Sequence, residues 1–454
     1  MIDQNNTCKS GSIREMVSLT LPMVVSLSCD TLMIFTDRLL LSKISTDAMN
    51  ASMGGGIAAY QCLSFFAGLV GYTTALVAQQ YGAGRRRNAS RAAFQAMLIA
   101  LVAWPFLACL GPFAGKVFNH MGLIPEQARL QSEYFSIVIL GSGLYLLRSA
   151  LSGFFCGLGR TGVVMLSAIA ALVVNACTAW IMIFGRLGFQ AAGVRGAAIG
   201  VLIGTLAGVG VLVAAYLKKE IRETYNVMDS FHYDKGLMRS LVRFGYPVGL
   251  ELMLNMLAFN TLVTLLHGHG PATATAATIL FNWDLISFLP LVGIEIGVTS
   301  LVGRYMGARD YAAAHQSVRS GLKLVLVFAT LLAPFFVGMP ELLVGVFQPP
   351  ETDKVFTQAA SQAESMLRFA ALYVFSNGIL LLYAGALRGA GDTLFTMAFS
   401  VGMHWTMAGG MYVALKYMHA TPLQGWLLVV LLFTFSPVIL WLRWNRGQLT
   451  KRKK

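Results

Sequence analysis

LTLPMVVSLSCD at residues 19–30 and FGYPVGLELMLN at 244–255 are two copies of one phrase. Each opens a long apolar stretch, and Pro22 and Pro247 fall at equivalent places 225 residues apart. Working outward, nearly the same separation sets AQQYGAGRR (78–86) against LVGRYMGARD (301–310), pairing Gly82-Ala83 with Gly307-Ala308. Further on, SGFFCGLGRT (152–161) aligns with AGALRGAGDT (384–393) at a separation of 232. Three matches in the same order divide the chain into two halves built on one plan.

What surrounds these phrases identifies the medium. Of 454 residues, 56% are hydrophobic and 12% charged, with a mean hydropathy of +0.65. A soluble domain carries about twice that charged fraction. Apolar runs predict membrane helices near 15–41, 52–80, 93–117, 132–156, 162–184 and 193–217 in the first half. The second half repeats the count near 240–267, 274–303, 317–345, 364–387, 393–417 and 424–444. Each is long enough to cross roughly 30 Å of hydrocarbon. The expected fold is therefore an all-α polytopic membrane protein. Twelve transmembrane helices form two parallel six-helix repeats: an N-lobe at 1–217, a linker at 218–238, and a C-lobe with a basic tail at 239–454.

Charge placement orients the bundle. The net charge of +14 is spread in short blocks between the spans, not gathered in a base-reading domain, which excludes nucleic acid and points to lipid headgroups. Even-numbered loops and the tail hold Arg85, Arg86, Arg87, Arg91, Arg160, Lys218, Lys219, Arg222, Lys235, Arg304, Arg309, Arg388, Arg443, Arg446 and Lys451–Lys454; odd-numbered loops are sparser. Both termini are thus expected in the cytoplasm, which needs an even number of spans. Two spans of the same orientation at the head of each half make the repeats parallel, related by an axis along the membrane normal. The N-terminus lacks the features of a cleavable signal, and its first span is expected to act as its own insertion signal. Cys8, Cys29, Cys62, Cys109, Cys156 and Cys177 form no CxxC pair and read as small buried hydrophobes.

Ionisable residues inside spans are costly and functional by default. Asp37 lies toward the outer end of the first span, where it is either an interfacial acid beside Arg38 or a cavity group. Asp30 sits two turns earlier on the same face, either sharing a proton network or bonded to Ser and Thr hydroxyls. In the second half, Glu251, Asp284 and Glu295 lie on two spans with little basic side chain to neutralise them, which suggests a cation- or proton-carrying group. Tyr145, Phe154, Met253, Met256, Phe259, Trp283 and Phe288 suit an adaptable apolar cavity, although each also reads as ordinary packing. His404 reads as a neutral, hydrogen-bonded histidine. No GxSxG, GxxxxGK[ST] or HExxH pattern supports an enzyme, so no cofactor is expected and an ion gradient is the expected energy source.

The paired halves, IFTDRLL (34–40), QQYGAGRR and GRYMGARD, and SGFFCGLGRT and AGALRGAGDT resemble the multidrug and toxic compound extrusion family over essentially the whole chain. That resemblance implies a monomeric secondary antiporter of the bacterial inner membrane that exports amphipathic organic cations in exchange for protons or sodium. It implies a coupling role for Asp37 and matches Asn175 to the family's Asn at that level of the N-lobe, an amide that also reads as a structural bond between helices. Where related proteins often carry a second acid, this chain has Ala179. The acids that the sodium-coupled branch carries on the seventh and tenth spans are Asn255 and Asn377 here.

A sodium ion needs several oxygen ligands at once, whereas a proton needs one carboxylate. These departures put protons ahead of sodium, with Glu251, Asn255, Asp284 and Asn377 as the sodium alternative. Two rival readings stay open. A flippase for a lipid-linked saccharide should line its path with Arg or Lys, whereas the charges read here at mid-membrane are acids. A channel or receptor lacks support, since no short loop looks able to form a selectivity element.

Overall fold

The structure, a computed structural model, describes residues 9–120, 124–348 and 354–446. All regular structure among the described residues is helical. The first half supplies α1 (Ile13–Ser42), α2 (Thr46–Gly82), α3 (Arg86–Asn119), α4 (Pro125–Leu140 and Ser142–Leu158), α5 (Thr161–Phe184) and α6 (Gly193–Leu217). The second supplies α7 (Lys235–His267), α8 (Pro271–Gly307), α9 (Tyr311–Gly338), α10 (Lys354–Ala390), α11 (Thr393–Lys416) and α12 (Pro422–Arg446). Cys8 and the lysines at 451, 453 and 454 lie outside the described residues.

Every predicted span coincides with a helix. Ten of them are long and apolar enough to cross a membrane, and α4 makes an eleventh although it bends by 44° at Gly141. The twelfth, α11, has 24 residues, or about 36 Å. His404, Trp405, Gly409 and Gly410 make it less apolar than the rest. One predicted span is cut short. The span expected to reach 345 stops at Gly338, and a short helix, Pro340–Gly345, starts afresh. Pro340 disfavours helical backbone at Met339, whose φ of −134° and ψ of 40° take it out of the helix.

The repeat is visible in the backbone. Gly159 and Gly391, 232 residues apart, end α4 and α10 with left-handed φ of 78° and 86°. Gly84 and Arg309, 225 apart, both have positive φ, 75° and 60°, in the turns after α2 and α8. Only glycine takes that conformation without strain, so Arg309 is held there by its turn, where its own N–H donates to the Met306 carbonyl.

The described residues fall into two compact units, one gathering Ser18–Met253 with Met306–Arg309 and the other Met1–Val17, Leu254–Tyr305 and Asp310–Lys454. Both α1 and α7 change unit along their length. In the second unit the start of α1 is held by Glu15, whose carboxylate accepts from the Gly11 N–H at 2.8 Å and the Tyr305 hydroxyl at 2.7 Å, with Arg304 at 3.4 Å. Ser320 Oγ donates to the Gly11 carbonyl at 2.6 Å. In the first unit Gln95 holds the approach to α7, donating to the His232 carbonyl at 3.0 Å and accepting from the Asp234 N–H at 3.2 Å. Gln95 and Ser320 are again 225 residues apart.

Packing in the first unit turns on a ladder of glycines in α6. Gly196, Gly200, Gly204 and Gly208 recur every four residues, and a Cβ added at any of them would come within about 3.1 Å of α5. The partners are Met182, Ala179, Ala171 with Asn175, and Ser167. Small residues let membrane helices approach closely and gain van der Waals contact, since lipid supplies no hydrophobic drive. Ser167 Oγ donates to the Gly208 carbonyl at 2.8 Å and closes the ladder at one end.

Candidate coupling and substrate site

The ladder sets Asn175 in place, fully buried on α5. Asp37 on α1 faces it, 2% exposed, and Asn175 Nδ2 donates to Asp37 Oδ2 at 3.4 Å. The Oδ1 atoms of both side chains are buried and accept no hydrogen bond from a described residue. Tyr134 on α4 and Arg38 lie within electrostatic reach of the carboxylate. An orphaned buried acceptor is costly, so a proton on Asp37 would supply a donor to a pair that has one too few. Ala179, which packs on Gly200, leaves no room for a second acid one turn further along α5.

Asp30 does not bond to Ser or Thr side chains. Its Oδ1 accepts from Arg148 Nη1 on α4 at 2.9 Å. Arg148 lies inside the predicted fourth span, and an Arg at mid-span was the signal for it. Tyr145, one turn before Arg148, is hydrogen-bonded to Tyr60 and meets that ring edge-on at 6.3 Å. Phe154 is fully buried among Phe155, Tyr216 and Tyr225, so it is core and not cavity.

In the second unit the expectation of little basic side chain is likewise corrected. Glu295 on α8 is buried and bonds to Arg388 of α10, a residue the sequence reading assigned to a loop. α10 extends to Ala390 because Gly385 and Gly389 let it approach α8 closely, where added Cβ atoms would meet the Glu295 and Thr299 carbonyls at 2.8 and 2.7 Å. Asp284, ten residues before Ile294 and partly buried, makes no hydrogen bond or ion pair with a described residue, though Tyr373 lies within its electrostatic reach. Trp283 beside it is occupied structurally, its indole N–H donating to the Leu343 carbonyl at 3.1 Å and its ring set against Phe347.

The four residues of the sodium alternative are not gathered in one unit. Glu251, buried, belongs to the first, and Asn255, Asp284 and Asn377 to the second. Asn255 Nδ2 donates to Ser400 Oγ on α11 at 2.8 Å, while its Oδ1 is buried and accepts no hydrogen bond from a described residue. Asn377 is buried on α10 and Met256 is half-buried on α7. Among the described residues no cluster of three or more His, Cys, Asp or Glu is placed to hold a metal ion.

A small cavity of about 30 Å³ lies in the second unit between Phe259, Phe281, Tyr373, His404, Trp426 and Phe433. It has room for water and not for a drug-sized ligand. His404 is hydrogen-bonded as expected, its Nδ1 lying 2.8 Å from the Ser400 carbonyl. Of these rings only Phe259 and His404 stood out in the sequence, because single aromatics in apolar spans carry no mark of what they face.

Known proteins resemble the chain along nearly its full length. The MatE family matches residues 22–181 and 247–405, one match in each half. A probable multidrug resistance protein NorM of Bradyrhizobium diazoefficiens is 28% identical over 402 residues, covering 87% of this chain and 84% of that one. The protein of the same description from Thermotoga maritima is 26% identical, covering 84% and 80%. Among solved structures, a MOP superfamily transporter from Pyrococcus furiosus superposes with a TM-score of 0.87 at 19% identity, covering 99% of this chain and all of that one. An outward-facing multidrug resistance MATE family transporter of the same superfamily gives 0.85 at 19% identity, covering 97% and 96%. At such identities these superpositions establish the fold.

Proposed function

Because this chain belongs to the MatE family of multi-pass membrane transporters, we propose that it exports amphipathic organic cations in exchange for protons, with Asp37 as the coupling group. The observation that carries this reading is the Asp37–Asn175 pair, buried and short of one donor. Deprotonated, the carboxylate offers negative charge to a cationic substrate. Protonated, it satisfies the pair and gives up that charge. Proton and substrate then weaken one another's binding reciprocally, as antiport requires.

Asp284 is the second coupling candidate, being an acid with no partner among the described residues. Glu251 and the amides Asn255 and Asn377 are polar groups of the same function. Asp30 and Glu295 act with their arginines. Tyr145 and Met256 supply apolar contact for the cargo, and Trp283 supports the segment after α9. No cofactor enters the cycle. The chain acts as a monomer in a bacterial inner membrane, with both termini in the cytoplasm and its basic loops on anionic headgroups.

Two experiments test these readings. Export from reconstituted liposomes under separately imposed gradients should follow the proton gradient. Efflux driven by an inward sodium gradient at matched pH, with the proton gradient collapsed, would overturn proton coupling. For topology, an accessibility reporter at Gly270 should read as external, and a cytoplasmic signal there would overturn the orientation. A lipid-linked saccharide flippase is the less supported alternative. Its anionic cargo needs a path of net positive charge, and Arg148 and Arg388 are each balanced by an acid.

A further inference from the structure

The Asp30–Arg148 pair is built asymmetrically. The carboxylate side chain is 38% exposed and the guanidinium 10%, with 2.9 Å between Oδ1 and Nη1. Asp30 Oδ2 accepts no hydrogen bond from a described residue. A carboxylate near the middle of α1 does not face hydrocarbon, where its cost would be prohibitive, so its open side faces a wetted space. Tyr145 stands one turn before Arg148, exposed and within electrostatic reach of both charges, with Tyr60 against it. The space therefore presents a negative oxygen, a fixed positive charge beside it and an aromatic wall.

From this arrangement we infer that Arg148 is a specificity-determining residue: it turns the Asp30 site from a receptor for simple cations into one for zwitterions, whose own carboxylate answers the guanidinium. The assignment rests on the export reading above and narrows its organic cations to those that carry a carboxylate beside the ammonium. A quaternary ammonium can approach Asp30 Oδ2 and lie on the tyrosine faces. It then sits only several ångströms from the Arg148 charge, and like charges at that range repel strongly where water is sparse. A ligand carrying a carboxylate next to its ammonium removes the repulsion and adds an attraction. With two opposite charges held side by side, the site matches a ligand of alternating charge and penalises one of single charge.

Equilibrium dialysis of purified protein against two labelled ligands of one scaffold tests this. Benzyltrimethylammonium is a monocation, and N-benzyl-N,N-dimethylglycine is the same group bearing a carboxylate. The wild-type protein is expected to bind the zwitterion at least about ten-fold more tightly. Arg148→Gln should reverse the order, tightening the monocation by about ten-fold. Because that change leaves Asp30 without its counter-charge, the doubly neutral D30N/R148Q variant serves as a second comparison, and it should hold the two ligands within about two-fold of each other. Equal binding by wild type, or an unchanged preference in either variant, would overturn the assignment. Wild-type protein that bound neither ligand and exported neither would overturn the export reading, and this inference with it.

Discussion

The two halves of the molecule each bury an acid against a polar partner, and the partners differ in kind. Asp37 meets the amide of Asn175, whereas Glu295 meets the guanidinium of Arg388. An amide leaves the carboxylate free to change state, since adding a proton costs no ion pair and supplies a missing donor. A guanidinium opposes it, because protonating Glu295 would give up the ion pair with Arg388. Two acids of similar burial thus divide into one suited to exchange and one suited to hold α8 against α10.

The comparison breaks most sharply at Asp37. Asp37→Asn keeps size and hydrogen bonding but cannot exchange a proton, so coupled export in proteoliposomes should fall by about a hundred-fold or more while the thermal melt stays near wild type. Transport at full rate would end the contrast between the halves. Next comes Glu295→Ala, which should lower stability by about 3–5 kcal/mol by removing the acid from a largely buried ion pair. Replacing the pair together, as E295M/R388M, should recover most of that loss in unfolding by denaturant, which Asp37 changes would not mimic.

A smaller effect is expected at the glycine ladder. Gly200→Ala places a methyl 3.0 Å from the Ala179 Cβ, and overpacking of that kind costs about 1–3 kcal/mol. It should also impair export by displacing Asn175, so melting and transport should shift together. The least effect belongs to the exposed Arg160–Glu220 pair outside the membrane, at 2.5 Å. Arg160 holds the Glu220 carboxyl below the usual carboxylate range. Its contribution to stability is therefore present above that range and is lost as pH falls through the lowered value. Being fully exposed, it should be too weak to see, and Glu220→Gln should melt like wild type at neutral pH.

Much of this architecture was legible beforehand because membrane spans announce themselves by length and apolarity, and because the repeat preserved Pro22 and Pro247, Gly159 and Gly391. Asp37 stands out in the sequence through its IFTDRLL motif. What could not be read was pairing. Arg148 meets an acid 118 residues away, and Arg388 one 93 residues away; nothing local records such distances. In sequence Arg388 also reads as a loop residue, since a basic residue at the end of an apolar run marks the membrane boundary unless glycines carry the helix onward. Glu251 and Asn255 lie one helical turn apart on α7, and the helix changes unit between them.

The glycine ladder also has a handedness. A seam that recurs every four residues, on a helix of 3.6 residues per turn, advances by about 40° at each step. From Gly196 to Gly208 it winds through about 120°, and the partners on α5 recur at nearly the same interval. Straight rods could not keep such a seam closed along its length. α5 and α6 must therefore wrap like two strands of a cord, and Asn175, lying on the seam, is aimed by the lay of that cord as much as by its own rotamer.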